Sequence, residues 1–274
     1  TAGAPGEASL AFDVSTPAHA VLTLRLPGGA GGDALPSDDV ASVVIDAPGG
    51  VSVALVAPVG AVPGRTSPDV FLREALDALQ PRTLRVLTLE QHDEALRIGD
   101  RSPGSPLAAD LVVYDRVAPG VLPPTPSLSI GAAPPIEGLR LAQAEDARPT
   151  RFFTWRRTDP LLRSVALGET LVARPLSMTL PEVGQGRVSR AEALAFGEGG
   201  PLVAALTVAG VQRVVVGFEL AQSTWPLDVG FAIFLANTVE TLAPRASTAT
   251  ARALATTDAM VVAPAPGASG VSQA

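Results

Sequence analysis

Val51-Ser52-Val53-Ala54-Leu55-Val56, then Ser67-Pro68-Asp69-Val70-Phe71-Leu72-Arg73-Glu74-Ala75-Leu76, then Leu84-Arg85-Val86-Leu87-Thr88-Leu89: the reading of these three pieces decides the fold. The first is a continuous apolar run, the pattern of a strand buried on both faces. The second opens like a helix. Ser67 serves as N-cap, Pro68 takes the first helical position, and Asp69 sits near the positive end of the dipole. Phe71, Leu72, Ala75, Leu76 and Leu79 fall on one helical face, and Pro81 stops the helix. The third piece, residues 84–89, reads as a second strand. Strand, helix, strand at this spacing is a βαβ unit with a right-handed crossover. Residues 110–115 give a third strand and residues 128–130 a fourth. The expectation is an α/β domain with a mostly parallel sheet, in which residues 51–56, 84–89 and 110–114 are neighbours.

Further along, residues 202–208 and 211–218 read as an antiparallel pair. Their short Ala209-Gly210 connection permits a hairpin and forbids a crossover, so the pair extends the sheet. A polar turn then holds Trp225-Pro226. A helix over about 228–242 follows, capped by Asp228, with Phe231, Phe234, Leu235 and Val239 facing the sheet. Residues 133–195 carry no clear period; they hold Phe152-Phe153-Thr154-Trp155 and the turn Asp159-Pro160-Leu161-Leu162.

Before the α/β region, Leu10, Phe12 and Val14 alternate, as do Leu22, Leu24 and Leu26, and residues 40–46 read as another strand. Residues 1–47 therefore read as the end of an immunoglobulin-like β-sandwich. The composition changes at Pro48-Gly49-Gly50, so the α/β domain covers 48–243. Residues 244–274 form a flexible tail or the start of another β module, with Met260-Val261-Val262 as one strand. Both ends read as cuts in a longer protein.

Composition narrows the function classes. The net charge of −7 over 274 residues disfavours nucleic acid, which wants a basic face. All 20 basic residues are arginine, a pattern of biased codon usage in an Ala-rich chain. There is no cysteine, which removes disulfides, thiolate nucleophiles and sulfur metal sites together. The most apolar stretches are interrupted by Gln212-Arg213, Asn237 and Glu240, so none reads as a spanning helix. No signal peptide opens the chain.

The familiar catalytic patterns fail on inspection. Gly60-Ala61-Val62-Pro63-Gly64-Arg65-Thr66 lies where a phosphate loop would. It has three residues between its glycines, a proline that deletes a donor, and no lysine. Asp13-Val14-Ser15-Thr16-Pro17 lacks the last serine of a metal-binding Asp-x-Ser-x-Ser site. His19 and His92 have no acid at ligand spacing and read as surface or edge residues. No Gly-x-Ser-x-Gly elbow occurs. No residue is assigned to catalysis, to a cofactor or to a metal. The candidate partner-surface residues are Trp225, Trp155, Asp159 and Asp115. Asp115 ends its strand where open α/β sheets place functional groups, or caps the next turn. Trp225 covers the end of its own sheet or anchors a partner.

Four pieces together resemble a known family: Asp33-Ala34-Leu35-Pro36-Ser37-Asp38-Asp39; Val70 to Leu76; Ala109 to Asp115 with Leu122-Pro123-Pro124; and Ser223 to Asn237, preceded by Asp159-Pro160-Leu161-Leu162. In this order they resemble the region downstream of the von Willebrand factor A domain in bacterial aerotolerance-type (BatA-like) membrane proteins. The resemblance implies an α/β domain similar to the flavodoxin-like class I glutamine amidotransferase fold, whose enzymes use Cys-His-Glu. Without cysteine, it implies a non-catalytic relative that serves assembly. Its partners would be other proteins of an envelope complex, on the extracytoplasmic side, with membrane contact only through segments absent from this chain. The rival expectation is a carboxylate-dependent hydrolase using Asp115 and Asp159. A polysaccharide-binding module would need a row of aromatics, and these are 4% of the chain.

Overall fold

Ser52–Val56 is buried along its whole length and pairs in parallel with a strand on each side, as an unbroken apolar run requires. It is the second strand from one edge of an eight-stranded sheet in the computed structural model, which describes residues 20–25, 40–45, 50–58, 68–143 and 148–243. In chain order the elements are β1 (Ala20–Arg25), β2 (Val40–Ile45), β3 (Ser52–Val56), α1 (Val70–Ala78), β4 (Thr83–Leu87), α2 (Leu89–Ile98) and β5 (Leu111–Asp115). Next come β6 (Ser127–Ile130), β7 (Arg140–Gln143), β8 (Thr150–Arg151), β9 (Thr154–Trp155), β10 (Leu171–Val172) and β11 (Leu176–Thr179). β12 (Val188–Gly197), β13 (Gly200–Val208), β14 (Val211–Val216) and α3 (Val229–Leu242) close the series.

The main sheet runs β4-β3-β5-β6-β14-β13-β12-β9. The first five strands are parallel, and β13, β12 and β9 extend them antiparallel. The fold is therefore α/β with a mostly parallel sheet and few helices. Numbered along the chain, the parallel strands stand in the order 2-1-3-4-5. Residues 49–245 form one compact unit, and β1 and β2, an antiparallel pair from Ala20↔Ile45 to Arg25↔Val40, belong to another. The expected strand at Leu10–Val14, the loop at 60–66, Ser67, His19 and Met260–Val262 lie outside the described residues, as does the whole segment after 243.

Side-chain alternation divides the core. Val53, Leu55, Leu111, Val113, Leu128 and Ile130 pack on one face beneath α1 and α3. Ala54, Val56, Val112 and Tyr114 point to the other, where Leu89 of α2 lies on them. Met178 and Leu141, from the β7–β11 ribbon, cover the antiparallel half of that second face.

Several local expectations change. Helix α1 is capped by Asp69, whose carboxylate accepts from the amides of Phe71 and Leu72 at 3.0 and 3.1 Å, so Pro68 precedes the helix. The second strand ends at Leu87 because Thr88 and Gln91 form a capping box that starts α2. That helix was hidden in the sequence because its apolar face is only Leu89, His92, Ala95 and Leu96. β14 ends at Val216, and two 3-10 turns, Leu220–Gln222 and Trp225–Leu227, lead into α3. Asp228 caps α3 by accepting from the Gly230 amide at 2.6 Å.

Candidate functional site

The strand order reverses between β3 and β5. In open α/β sheets the crevice outside the carboxyl ends of such strands is where ligands bind. Here a cleft of about 360 Å³ opens at the exits of these strands, lined by Pro58 after β3 and Arg116 after β5. Its other walls are Gln143, Arg174, Leu176, Glu219, Ala221 and Gln222.

Beneath the cleft lies a charged knot. Asp115 is 1% exposed. Its two carboxylate oxygens accept from Nε and Nη2 of Arg116, both at 2.9 Å, in a bidentate fork. One of them also accepts the backbone amide of Asp69 at 2.8 Å, tying β5 to the start of α1. Burial raises the pKa of Asp69, and the charge of Asp115 adds to the rise. The amides of Leu72 and Phe71 and the Arg116 guanidinium oppose it. The hydrogen bonds to Asp115 hold Arg116 above its ordinary value, with further help from Asp69 and Glu219.

Arg116 adopts φ = +57°, left-handed backbone that a bulky residue visits at a cost of about 1–2 kcal/mol. Gly131, just past the end of β6, is also left-handed at +71°. A Cβ there would meet Glu219 Cγ at 3.0 Å and Arg116 Cγ at 3.3 Å. The glycine lets these two side chains pack over the strand exit. One class of α/β enzymes places its nucleophile on a strained strand-to-helix turn at the top of the sheet. At that place this chain carries a guanidinium locked onto a carboxylate. Three donors thus engage the Asp115 carboxylate and tie it to Arg116 and to the start of α1.

The sequence-derived candidates do not converge. Asp159 caps the 3-10 turn Pro160–Leu162 through the Leu161 amide at 3.0 Å and lies 3.5 Å from Arg190. It belongs to a network with Arg190, Glu192 and Arg156, separate from that of Asp115. Trp155 is half-buried; its Nε1 donates to the Val165 carbonyl at 3.1 Å, and Arg157 stacks 4.6 Å over its ring. Trp225 is 0% exposed and so is no docking anchor. It is walled by Phe152, Phe218, Phe231 and Phe234, because the 3-10 turn folds its ring back under α3. Asp115 is likewise too buried to meet a partner directly.

His92 is also corrected: it is fully buried, not at a surface or edge. Its Nε2 lies 3.0 Å from the Tyr114 hydroxyl and its Nδ1 2.8 Å from Asp93. These bonds satisfy a polar pair between α2 and β5. Burial pushes the Tyr114 hydroxyl well above its ordinary value. Among the described residues no group of acids and histidines is arranged to hold a metal, and no helix is long and apolar enough to cross a membrane.

Sequence reasoning missed Arg116, Arg174 and Glu219. Only Arg116 left a signal, as a charged residue directly after an apolar strand that ends in an acid.

No family model and no curated protein matches this chain. Solved structures that resemble it do so weakly. Cytoplasmic protein STM3548 from Salmonella typhimurium is 10% identical, with a TM-score of 0.42 over 70% of this chain and 99% of that one. Cytoplasmic protein STM1381 from Salmonella typhimurium LT2 is 9% identical, with a TM-score of 0.43 over 82% of this chain and 96% of its own. A ThuA-like protein from Parabacteroides merdae is 13% identical, with a TM-score of 0.44 over 71% of this chain and 90% of its own. At these scores the likenesses assign neither a function nor a site.

Proposed function

We propose that this chain is a non-catalytic, amidotransferase-like binding module that serves the assembly of a bacterial envelope complex. The observation that carries the non-catalytic part is Arg116. It occupies the left-handed strand exit over the sheet's switch point, bonded in a fork to Asp115. A guanidinium cannot act as nucleophile, and it withdraws the nearest carboxylate from base chemistry. The 2-1-3-4-5 order of the parallel strands supports the flavodoxin- and amidotransferase-like reading. The antiparallel pair β1–β2 fits the end of an immunoglobulin-like module. The envelope setting and the von Willebrand factor A connection rest on the ordered sequence pieces alone.

Two measurements test this reading. The 274-residue protein should turn over no ester, amide or glycoside substrate above background. Site-directed cross-linking in bacterial membranes should recover other envelope proteins. Turnover that disappears in Asp115→Asn, or cross-links confined to cytosolic proteins, overturns it.

The carboxylate hydrolase is the second reading, and one observation favours it. Asp69, with its raised pKa, stands beside Asp115. In that reading Asp69 replaces Asp159 as the second acid, and Asp69→Asn abolishes the activity.

A further inference from the structure

Arg174 and Glu219 line the same cleft with opposite charge. Both are exposed, and among the described residues neither forms an ion pair, with the other or with anything else. Glu219 acts on Arg116 as a neighbouring negative charge. The same cleft presents two carboxamides, Gln143 and Gln222, and the apolar sides of Pro58, Leu176 and Ala221. Among the described residues no aromatic lines the cleft, which disfavours a sugar or a quaternary amine, since both are gripped by ring faces. Beneath it Arg116 and Asp115 are bonded to each other, so the free charges of the described lining are Arg174 and Glu219. A purely anionic or purely cationic ligand therefore gains one contact and meets one repulsion.

The geometry points to a small zwitterion as the ligand of this cleft, its carboxylate on Arg174 and its ammonium on Glu219. At about 360 Å³ the cleft lies at the low end of small-ligand pockets, roughly 300–1,000 Å³. The ligand bridges residues after β10 and after β14, so its capture couples the β10–β11 segment to the strand exit. The inference rests on the proposal that this cleft binds rather than reacts.

The test is calorimetric titration of the intact 274-residue chain with glycine, β-alanine, γ-aminobutyrate and 5-aminovalerate, which differ in charge separation. Acetate and methylammonium are the single-charge controls. At least one zwitterion should bind with a Kd of about 1 mM or tighter, and neither control should. Arg174→Ala and Glu219→Ala, both at exposed positions, should each weaken it about 10- to 100-fold. Arg174→Lys should retain part of the affinity. Absence of zwitterion binding, equal binding of acetate, or binding unchanged in both alanine variants overturns the inference. Proton NMR of the same mixtures separates the two claims: a probe that binds and is chemically converted refutes only the non-catalytic reading.

Discussion

Replacing Trp225 by alanine removes the ring at the centre of the aromatic cluster. The indole is wholly buried, with ring centroids of Phe234 at 4.8 Å, Phe231 at 5.6 Å, Phe218 at 5.8 Å and Phe152 at 6.3 Å. Deleting a buried tryptophan costs about 3–5 kcal/mol, the transfer loss plus the cavity left behind. Four aromatic neighbours on three chain segments limit collapse into that cavity, which pushes the cost up. One term opposes. The Trp225 Nε1 is buried with no hydrogen-bond partner among the described residues, a penalty of about 1–3 kcal/mol that the deletion removes. The net expectation stays at about 3–5 kcal/mol, a large share of the ~5–15 kcal/mol total of an ordinary domain. Trp225→Phe keeps most ring contacts and removes the orphan donor, so it should change stability by about 1 kcal/mol at most. Urea unfolding followed by far-ultraviolet circular dichroism reads both variants without depending on tryptophan emission. With a slope near 2–3 kcal/mol/M, the alanine variant should unfold at about 1–2 M less urea. An unchanged alanine midpoint, or a phenylalanine variant as weak as the alanine one, would refute the packing argument.

Three further outcomes follow from the site. Asp115→Asn keeps an acceptor for the Asp69 amide but removes the charge from the bidentate fork with Arg116; a loss of about 3–5 kcal/mol by urea unfolding is expected, and under about 1 kcal/mol would contradict a buried ion pair. Asp69 has a raised pKa, so the folded state favours its neutral form. Wild-type stability should therefore fall relative to Asp69→Asn as pH rises from the ordinary value of 3.8 through the raised one, then level off. Unfolding at stepped pH checks this, and a wild type that stays level with or gains on Asp69→Asn as pH rises through that range defeats it. His92→Leu strands the Tyr114 hydroxyl and should cost about 1–3 kcal/mol, while adding Tyr114→Phe should recover part of it; additive losses in the double variant would show that the two do not interact.

Much of the scaffold was legible along the chain. β3 and β5 announce themselves as apolar runs, because a strand buried on both faces has no polar side to show. The β13–β14 hairpin followed from Ala209-Gly210, both of which take positive φ. α3 followed from Asp228 and the spacing of Phe231, Phe234 and Leu235. α2 was missed although Thr88-Leu89-Glu90-Gln91 spells a capping box, because its apolar face is sparse and the strand reading ran two residues past Leu87, through the cap into Leu89. Local patterns decide local backbone, and for these elements the pattern sufficed.

The site obeys a different rule. Asp69 and Asp115 meet across 46 residues of sequence, and Arg116, Arg174 and Glu219 reach one cleft from three separate connections. His92 finds Tyr114 22 residues away, and the inward ring of Trp225 meets Phe152 from the long insertion as well as Phe218, Phe231 and Phe234. No periodicity encodes such meetings, since they depend on where the parallel strands end and which loops return there. The sequence alone determined an α/β scaffold without a cysteine nucleophile. The tertiary structure decided which charges are spent on one another and which still face open space. Pairing and burial are properties of distance in three dimensions, and they set what each charged group is able to do.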